Sequence, residues 1–242
     1  MELVYPVAKA ALLGPLHLGM RWTVQGAAHI PERGPVILAS NHTSYLDPLV
    51  LAYVADRRRR RVRFLAKAEL FDKSGLGPTL RAMRQIPVSR GSASAAGALD
   101  AAVASLHRGE CVAVFPEGTI SLDLDPMPGK SGAARLARES GVPVVPVGLW
   151  GAHRIMFKGR KPDWRWGVAE VAQIGPPVMI EPGDDIREST DRIMAAICVQ
   201  VGRARQCYPQ RPRPGEDDWW VRAPERAVLR SAIRSRREAS GS

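Results

Sequence analysis

Cysteine is scarce in this chain: Cys111, Cys198 and Cys207 are the only three in 242 residues, and none belongs to a C-x-x-C pair. An odd, scattered set of thiols suggests neither a disulfide framework nor a zinc site and fits a reducing compartment, with Cys111 a small core residue. Long apolar runs are missing too. Residues 3–20 are mostly apolar, but Pro6 and Pro15 interrupt them and Lys9 and His17 sit among them, whereas a spanning helix needs about 20 predominantly apolar residues. With Glu2 in place of a basic cluster and no convincing cleavage site, the segment is not expected to be a signal peptide. Two catalytic signatures are absent. No G-x-S-x-G elbow supports a Ser-His-Asp hydrolase, and Gly129-Lys130-Ser131 is no P-loop, because that motif's first glycine would fall at Leu124. There is no internal repeat.

Acidic residues are outnumbered, 24 against 35 Lys and Arg, for a formal charge of +11 and a pI near 10.3. That balance attracts anionic partners: a membrane surface, phosphorylated substrates, an acidic carrier protein or nucleic acid. The densest charge is Arg57-Arg58-Arg59-Arg60-Arg61, with Arg63 close behind. Its simplest reading is a solvated helix end complementing the dipole, and the alternative is a patch for lipid head groups or an acidic acyl carrier. No aromatic interleaving or nucleic-acid motif accompanies the run, so nucleic acid is not the expected partner.

With 45% hydrophobic residues the chain is long enough for one α/β core. The expected division is an apolar segment over 1–21, lying at a membrane interface or packed on the core, a main domain over 22–202, and a loosely docked Pro/Arg-rich tail over 203–242. The sequence predicts a short edge strand at 22–26, buried strands at 36–39 and 110–115, further strands at 62–66 and 86–88, and a core or edge strand at 142–151. Later strands are expected at 164–166, 168–174 and 178–180 around Gly175-Pro176-Pro177, the first of them Trp164-Arg165-Trp166. Helices are expected after Asp47, after a Gly/Pro break at 75–78, over 92–106, from Lys130, and over 184–202. The paired Trp219 and Trp220 either seat at a membrane interface or pack back on the domain.

The richest stretch is Ser40-Asn41-His42-Thr43-Ser44-Tyr45-Leu46-Asp47-Pro48. It leaves a buried strand at the carboxyl end, where ligands collect in open α/β sheets. Asp47-Pro48 reads as a helix N-cap with proline at the first helical position. The short loop lets the Asp47 carboxylate fold back onto one nitrogen of His42 and leave the other as an unprotonated acceptor, the form a general base needs. The alternative is a capping aspartate beside a surface histidine.

Three further stretches carry candidates. Ile86-Pro87-Val88-Ser89-Arg90 would present a guanidinium suited to a phosphate at a strand end. Phe115-Pro116-Glu117-Gly118-Thr119 leaves another buried strand: Gly118 and Thr119 would lend backbone N–H groups to an anion-binding concavity, while Glu117 would bond a polyol or pin an arginine. Lys130 opens a helix and would point at phosphate. Val144-Val145-Pro146-Val147 is a strand with a proline where ladder donors are not required.

Together, Asn41-His42-Thr43-Ser44-Tyr45-Leu46-Asp47, Ile86-Pro87-Val88-Ser89-Arg90, Phe115-Pro116-Glu117-Gly118-Thr119 and Val144-Val145-Pro146-Val147 resemble, in order and approximate spacing, the four blocks of the glycerolipid acyltransferase family, in particular its 1-acylglycerol-3-phosphate acyltransferase (PlsC-like) branch. The likeness covers about 22–180. It implies an α/β fold with a mixed, mostly parallel central sheet wrapped by helices, and acyl transfer from acyl-CoA or acyl carrier protein to the free sn-2 hydroxyl of lysophosphatidate. It further implies His42 as general base, Asp47 as its orienting carboxylate, Arg90 on the phosphate, Glu117 and Gly118 in the acceptor-binding turn, Pro146 on the donor side, and Asn41 and Thr119 among the substrate-binding residues. Neither a metal nor a tightly bound cofactor is implied, and the expected location is the cytoplasmic face of the cell membrane, peripheral or monotopic. The chain departs from the family pattern where Arg84 replaces a glycine and Ile120 an arginine. Lys130 or Arg84 is expected to replace the lost cation, or the acceptor is another lysophospholipid or a glycolipid precursor. The non-enzymatic alternative is a basic lipid- or nucleic-acid-binding protein.

Overall fold

Strands covered on both faces lose the polar alternation of half-exposed ones, and the apolar runs of this chain take that form. In the computed structural model, which describes residues 4–88, 92–212 and 217–221, β2 (Val36–Ser40), β5 (Cys111–Val114) and β6 (Val144–Trp150) occupy the middle of a seven-stranded sheet. The order is β1 (Met20–Gln25), β7 (Val168–Ile174), β6, β2, β5, β3 (Val62–Lys67), β4 (Ile86–Val88). Neighbours run parallel except β6 with β7. The sheet is therefore mixed and mostly parallel, as expected, with β1 at its edge. Cys111 is buried in β5, where loss of solvent pushes its thiol up to about 12, so it packs as a small apolar residue.

One face of the sheet is covered by α4 (Ser92–His107), α5 (Gly132–Ser140) and α6 (Ile186–Gln206), the other by α1 (Val4–Gly19) and α2 (Asp47–Asp56). Ile193, Ile197, Val201 and Ala204 form the buried stripe of α6 at helical spacing. That helix lies so close to β6 that a Cβ on Gly148 would strike the Gln200 and Val201 backbone, which is why the strand carries a glycine there.

Because β2, β3, β5 and β6 are parallel, their carboxyl ends share one edge. The reversal of β7, with β1 parallel to it, brings the first residues of β7 and β1 to that same edge.

The structure corrects several expectations. The arginine run is only partly solvated. Buried Arg60 donates to the carbonyl oxygens of Pro31 (3.0 Å), Gly34 (2.5 Å) and Gly109 (3.1 Å). Arg63 donates to Met83 O at 2.7 Å and pairs with Glu110 at 2.8 Å, and Arg58 pairs with Glu32 at 3.0 Å. Loop carbonyls without ladder partners need donors, and a guanidinium fork supplies several at once. Helix α3 (Leu76–Ala82) begins inside the expected Gly/Pro break, with Pro78 in its first turn. The strand expected at 178–180 is a single antiparallel bridge between Val178 and Val144, and Trp164 and Trp166 lie exposed outside any strand. Helix α6 runs on to Gln206. Beyond it, the Tyr208 hydroxyl donates to Ala169 O at 3.1 Å, and the Gln210 amide to Gly167 O at 2.7 Å. Trp220 is buried with the Arg154 guanidinium 4.2 Å over its ring, so the tryptophan pair packs back on the domain.

Candidate active site

The loop after β2 is assembled from its own backbone. Helix α2 starts at Asp47 itself, with Leu46 in the capping position rather than Asp47. From that first turn the carboxylate reaches back: Oδ2 accepts the backbone N–H of Thr43 (2.6 Å) and Ser44 (2.7 Å) and meets His42 Nδ1 at 2.9 Å. An ionised carboxylate only accepts, so Nδ1 carries the proton and Nε2 keeps its lone pair. Position in the first helical turn further favours the negative charge. Asp47 is 1% exposed and His42 18%; the carboxylate is shielded while the imidazole opens outward. Among the described residues no group engages Nε2. The ring stacks on Phe115, centroids 4.3 Å apart, which fixes its plane.

Glu117, expected to meet substrate, is instead buried behind the loop. Its Oε1 accepts the His42 N–H at 2.8 Å and its Oε2 the Met127 N–H at 3.0 Å. Burial pushes its carboxyl up to about 7 against the pull of those two donors. Nor does Glu117 sit in solvent or pin an arginine. The carbonyl of His42 accepts from Ser121 N at 2.8 Å, so both backbone groups of the histidine are held by the segment after β5.

Asn41 is equally inward. Its side chain accepts from Leu149 N at 2.8 Å and donates to Leu149 O at 3.0 Å, continuing the β2–β6 ladder one step past the last strand residue. Pro146 sits buried within β6, paired with Ala39, and its carbonyl accepts from Gly175. Gly118 adopts φ 69°, and its N–H closes a turn onto Phe115 O at 3.0 Å; that amide is spent on the turn and is not offered to an anion. Gly118 and Thr119 are exposed. Lys130 precedes α5 instead of opening it, with its N–H on Pro116 O at 2.9 Å and its side chain folded over Gly118, Nζ 3.0 Å from where a Cβ would stand. An ammonium thus lies beside the third motif although Ile120, where an arginine is expected, is buried. Arg84 occupies the turn before β4, at the amino edge of the sheet, and cannot replace that arginine. Arg57, Arg59 and Arg61 precede β3 at the amino edge too. Arg90 lies outside the described residues.

Several contributors escaped the sequence. The Ser44 hydroxyl donates to Met156 O at 2.7 Å and accepts from Leu46 N at 3.0 Å, tying the loop after β2 to the segment after β6. Lys67 stands exposed at the carboxyl end of β3, on the same edge as His42. Glu170, fully buried in β7, accepts from Ala152 N at 2.5 Å. Burial, with the charge of Asp47 adding to it, raises its carboxyl well above the usual range. A lone acid inside Val168-Ala169-Glu170-Val171-Ala172 was the available signal for it.

A family model described as Acyltransferase matches residues 21–150. Among curated proteins, the chain is 33% identical over 138 residues to the chloroplastic 1-acyl-sn-glycerol-3-phosphate acyltransferase BAT2 of Brassica napus, covering 56% of this chain and 39% of that protein. It is 29% identical to the 1-acyl-sn-glycerol-3-phosphate acyltransferase of Borreliella burgdorferi, covering 58% and 55%, and 31% identical to the alpha form of Homo sapiens, covering 81% and 71%. The match thus spans about half the length, or less, of the first two relatives. Among solved structures, the 1-acyl-sn-glycerophosphate (LPA) acyltransferase PlsC of Thermotoga maritima superposes with a TM-score of 0.68 at 27% identity, over 86% of this chain and 81% of that one.

Proposed function

From the premise that this chain belongs to the acyltransferase family, we propose that it acylates the free sn-2 hydroxyl of 1-acylglycerol-3-phosphate, giving phosphatidate. The donor in this proposal is a thioester of coenzyme A or acyl carrier protein, and the reaction takes place at a membrane surface. The observation that carries the reading is the hydrogen bond between His42 Nδ1 and Asp47 Oδ2, which leaves Nε2 as a base on the edge of the sheet where substrates bind.

His42 Nε2 removes the hydroxyl proton as the alcohol oxygen attacks the thioester carbonyl. The C–O bond forms, the C–S bond breaks as the tetrahedral species collapses, and the imidazolium returns the proton to the leaving thiolate. Asp47 holds the tautomer and stabilises the imidazolium across 2.9 Å; general base catalysis of this kind contributes about 10²–10⁴-fold. No acyl-enzyme forms. The imidazole supplies the base and the thioester is a co-substrate, so the scheme calls for no metal or resident cofactor.

In this proposal the acceptor phosphate is offset by Lys130, which lies beside Gly118, and by Lys67 at the end of β3, with Arg90 a third cation by family likeness. Gly118 and Thr119 offer the exposed surface of the third motif to the acceptor. Glu117, Asn41 and Pro146 act through the backbone they hold. Burial of Ile120 where an arginine is expected favours a second reading, an acceptor whose head group differs from plain lysophosphatidate.

The test is a purified-protein assay with acyl-CoA and lysophosphatidate, run beside lysophosphatidylinositol and lysophosphatidylglycerol, with His42→Ala as control and acyl carrier protein as the alternative donor. Phosphatidate formation that disappears in the variant is expected. Preference for another lysolipid would favour the second reading, and no turnover with any pair would remove the enzymatic one.

A further inference from the structure

We propose that the protein lies on an anionic bilayer with the carboxyl edge of its sheet against the lipid, seated by the aromatic and basic loop between β6 and β7 together with the end of α1. The proposal deepens the lysolipid reading, on which it rests for what the bilayer delivers; the contact surface stands on its own geometry.

Of the nine large apolar side chains exposed among the described residues, six belong to segments entering or leaving the sheet at the edge that carries His42: Leu18, Tyr45, Leu76, Leu122, Trp164 and Trp166. Isolated exposed apolar residues need no explanation, but a concentration on one edge does. The three most exposed are Trp166 at 77%, Leu18 at 74% and Trp164 at 65%; Trp164 and Trp166 share the loop before β7, and Trp166 lies against the end of α1, which carries Leu18. Gly167 N donates to Gly19 O at 2.7 Å, and the Trp166 ring lies 3.7 Å from a Cβ built on Gly19. The reversal of β7 is what makes this possible, since it returns both the loop and the end of α1 to the substrate edge.

The loop is also built to hold a position. Asp163 N donates to Ile155 O at 2.8 Å, closing its base, and Met156 O takes the Ser44 hydroxyl of the catalytic loop at 2.7 Å. Arg160 pairs with Asp217 and lies 4.5 Å over the Trp219 ring, and Arg165 pairs with Asp163, which leaves Lys158 and Lys161 as further exposed bases. Tryptophan is suited to the boundary between head groups and acyl chains, and lysine to the anionic head groups beside it. That mixture of indole and ammonium matches an anionic bilayer better than a protein partner. The arginines at 57, 59 and 61, on the amino edge, then face away from the lipid.

Flotation of the full chain with phosphatidylcholine vesicles, with and without phosphatidylglycerol, tests this. Wild type is expected to float with the anionic vesicles. Trp164→Ala/Trp166→Ala should weaken partitioning about tenfold per indole, and Lys158→Glu/Lys161→Glu should weaken it at least fivefold per lysine on anionic vesicles with little change on neutral ones. Arg57→Gln/Arg59→Gln, which removes two charges from the opposite edge, should float as wild type does. So should His42→Ala, which separates failure of docking from failure of the catalytic reading. Wild-type flotation of the double tryptophan variant, with an unchanged melting curve, would overturn the proposal. Loss of flotation in the Arg57/Arg59 variant would overturn it equally, as would a concentration-dependent dimer that the tryptophan changes abolish, because a second copy would then cover the patch.

Discussion

Replacing Glu117 distinguishes a side chain that binds substrate from one that holds the His42 loop. Glu117→Ala strips the acceptor from two backbone donors, the His42 N–H at 2.8 Å and the Met127 N–H at 3.0 Å. A buried donor left without a partner costs about 1–3 kcal/mol, so the pair predicts a loss of about 4 kcal/mol, a large share of a typical domain's stability of about 5–15 kcal/mol. The same group gives a pH signature. Burial raises its carboxyl from 4.5 in the unfolded chain to about 7. A raised carboxyl favours the folded state most when protonated, so this contribution is complete below pH 4.5 and is lost as pH climbs through 7. At 1.36 kcal/mol per unit the window amounts to roughly 3 kcal/mol. Glutamine does not titrate, so wild type should lose stability relative to Glu117→Gln between pH 4.5 and 7, as read by urea unfolding across that range. In the alanine variant kcat should fall about tenfold or more, with the acceptor KM changing little. A Glu117→Ala protein with wild-type midpoints and a raised acceptor KM would refute the reasoning and return Glu117 to the substrate.

Asp47→Ala should do more than remove turnover: it orphans the Thr43 and Ser44 N–H groups and should cost about 4 kcal/mol, whereas Asp47→Asn should keep much of the stability and still lose most activity. Comparing denaturant midpoints with rates separates the two, and equal midpoints for both variants would count against the loop role. Arg60→Ala, which frees three carbonyls at the amino edge, should lower stability by about 3 kcal/mol with unchanged kcat per folded molecule, and Arg60→Lys should restore only part of it. Trp220→Ala should cost about 4 kcal/mol in thermal or urea unfolding; a neutral result would mean that the buried indole contributes nothing to the fold.

Patterns that depend on neighbours in sequence were legible. Val36-Ile37-Leu38-Ala39 had the composition of a strand covered on both faces, and His42 to Asp47 had the spacing of a loop that returns a carboxylate to an imidazole; both stand where expected. Roles set by distant partners were not legible. Glu117 looked like a ligand because its turn was recognisable, but the N–H it accepts belongs to a residue 75 positions earlier. Arg60 looked solvated because its neighbours are arginines, while its acceptors lie 26 to 49 positions away. Strand direction is a third case: nothing local to Val168-Ala169-Glu170-Val171 states that β7 runs against β6, and the edge to which residues 151–167 return follows from that alone.

The loop that carries His42 and Asp47 also has a place in time. Its anchors lie 75 residues onward at Glu117, 108 at Leu149 and 112 at Met156, while His42 and Asp47 leave a ribosome almost together. At about 5–20 residues per second the histidine is made several seconds before the groups that aim it. A nascent chain halted short of Met156 would hold both members of the pair without the full frame that holds their loop, and the earliest partial products of translation would carry the chemistry's ingredients without its geometry.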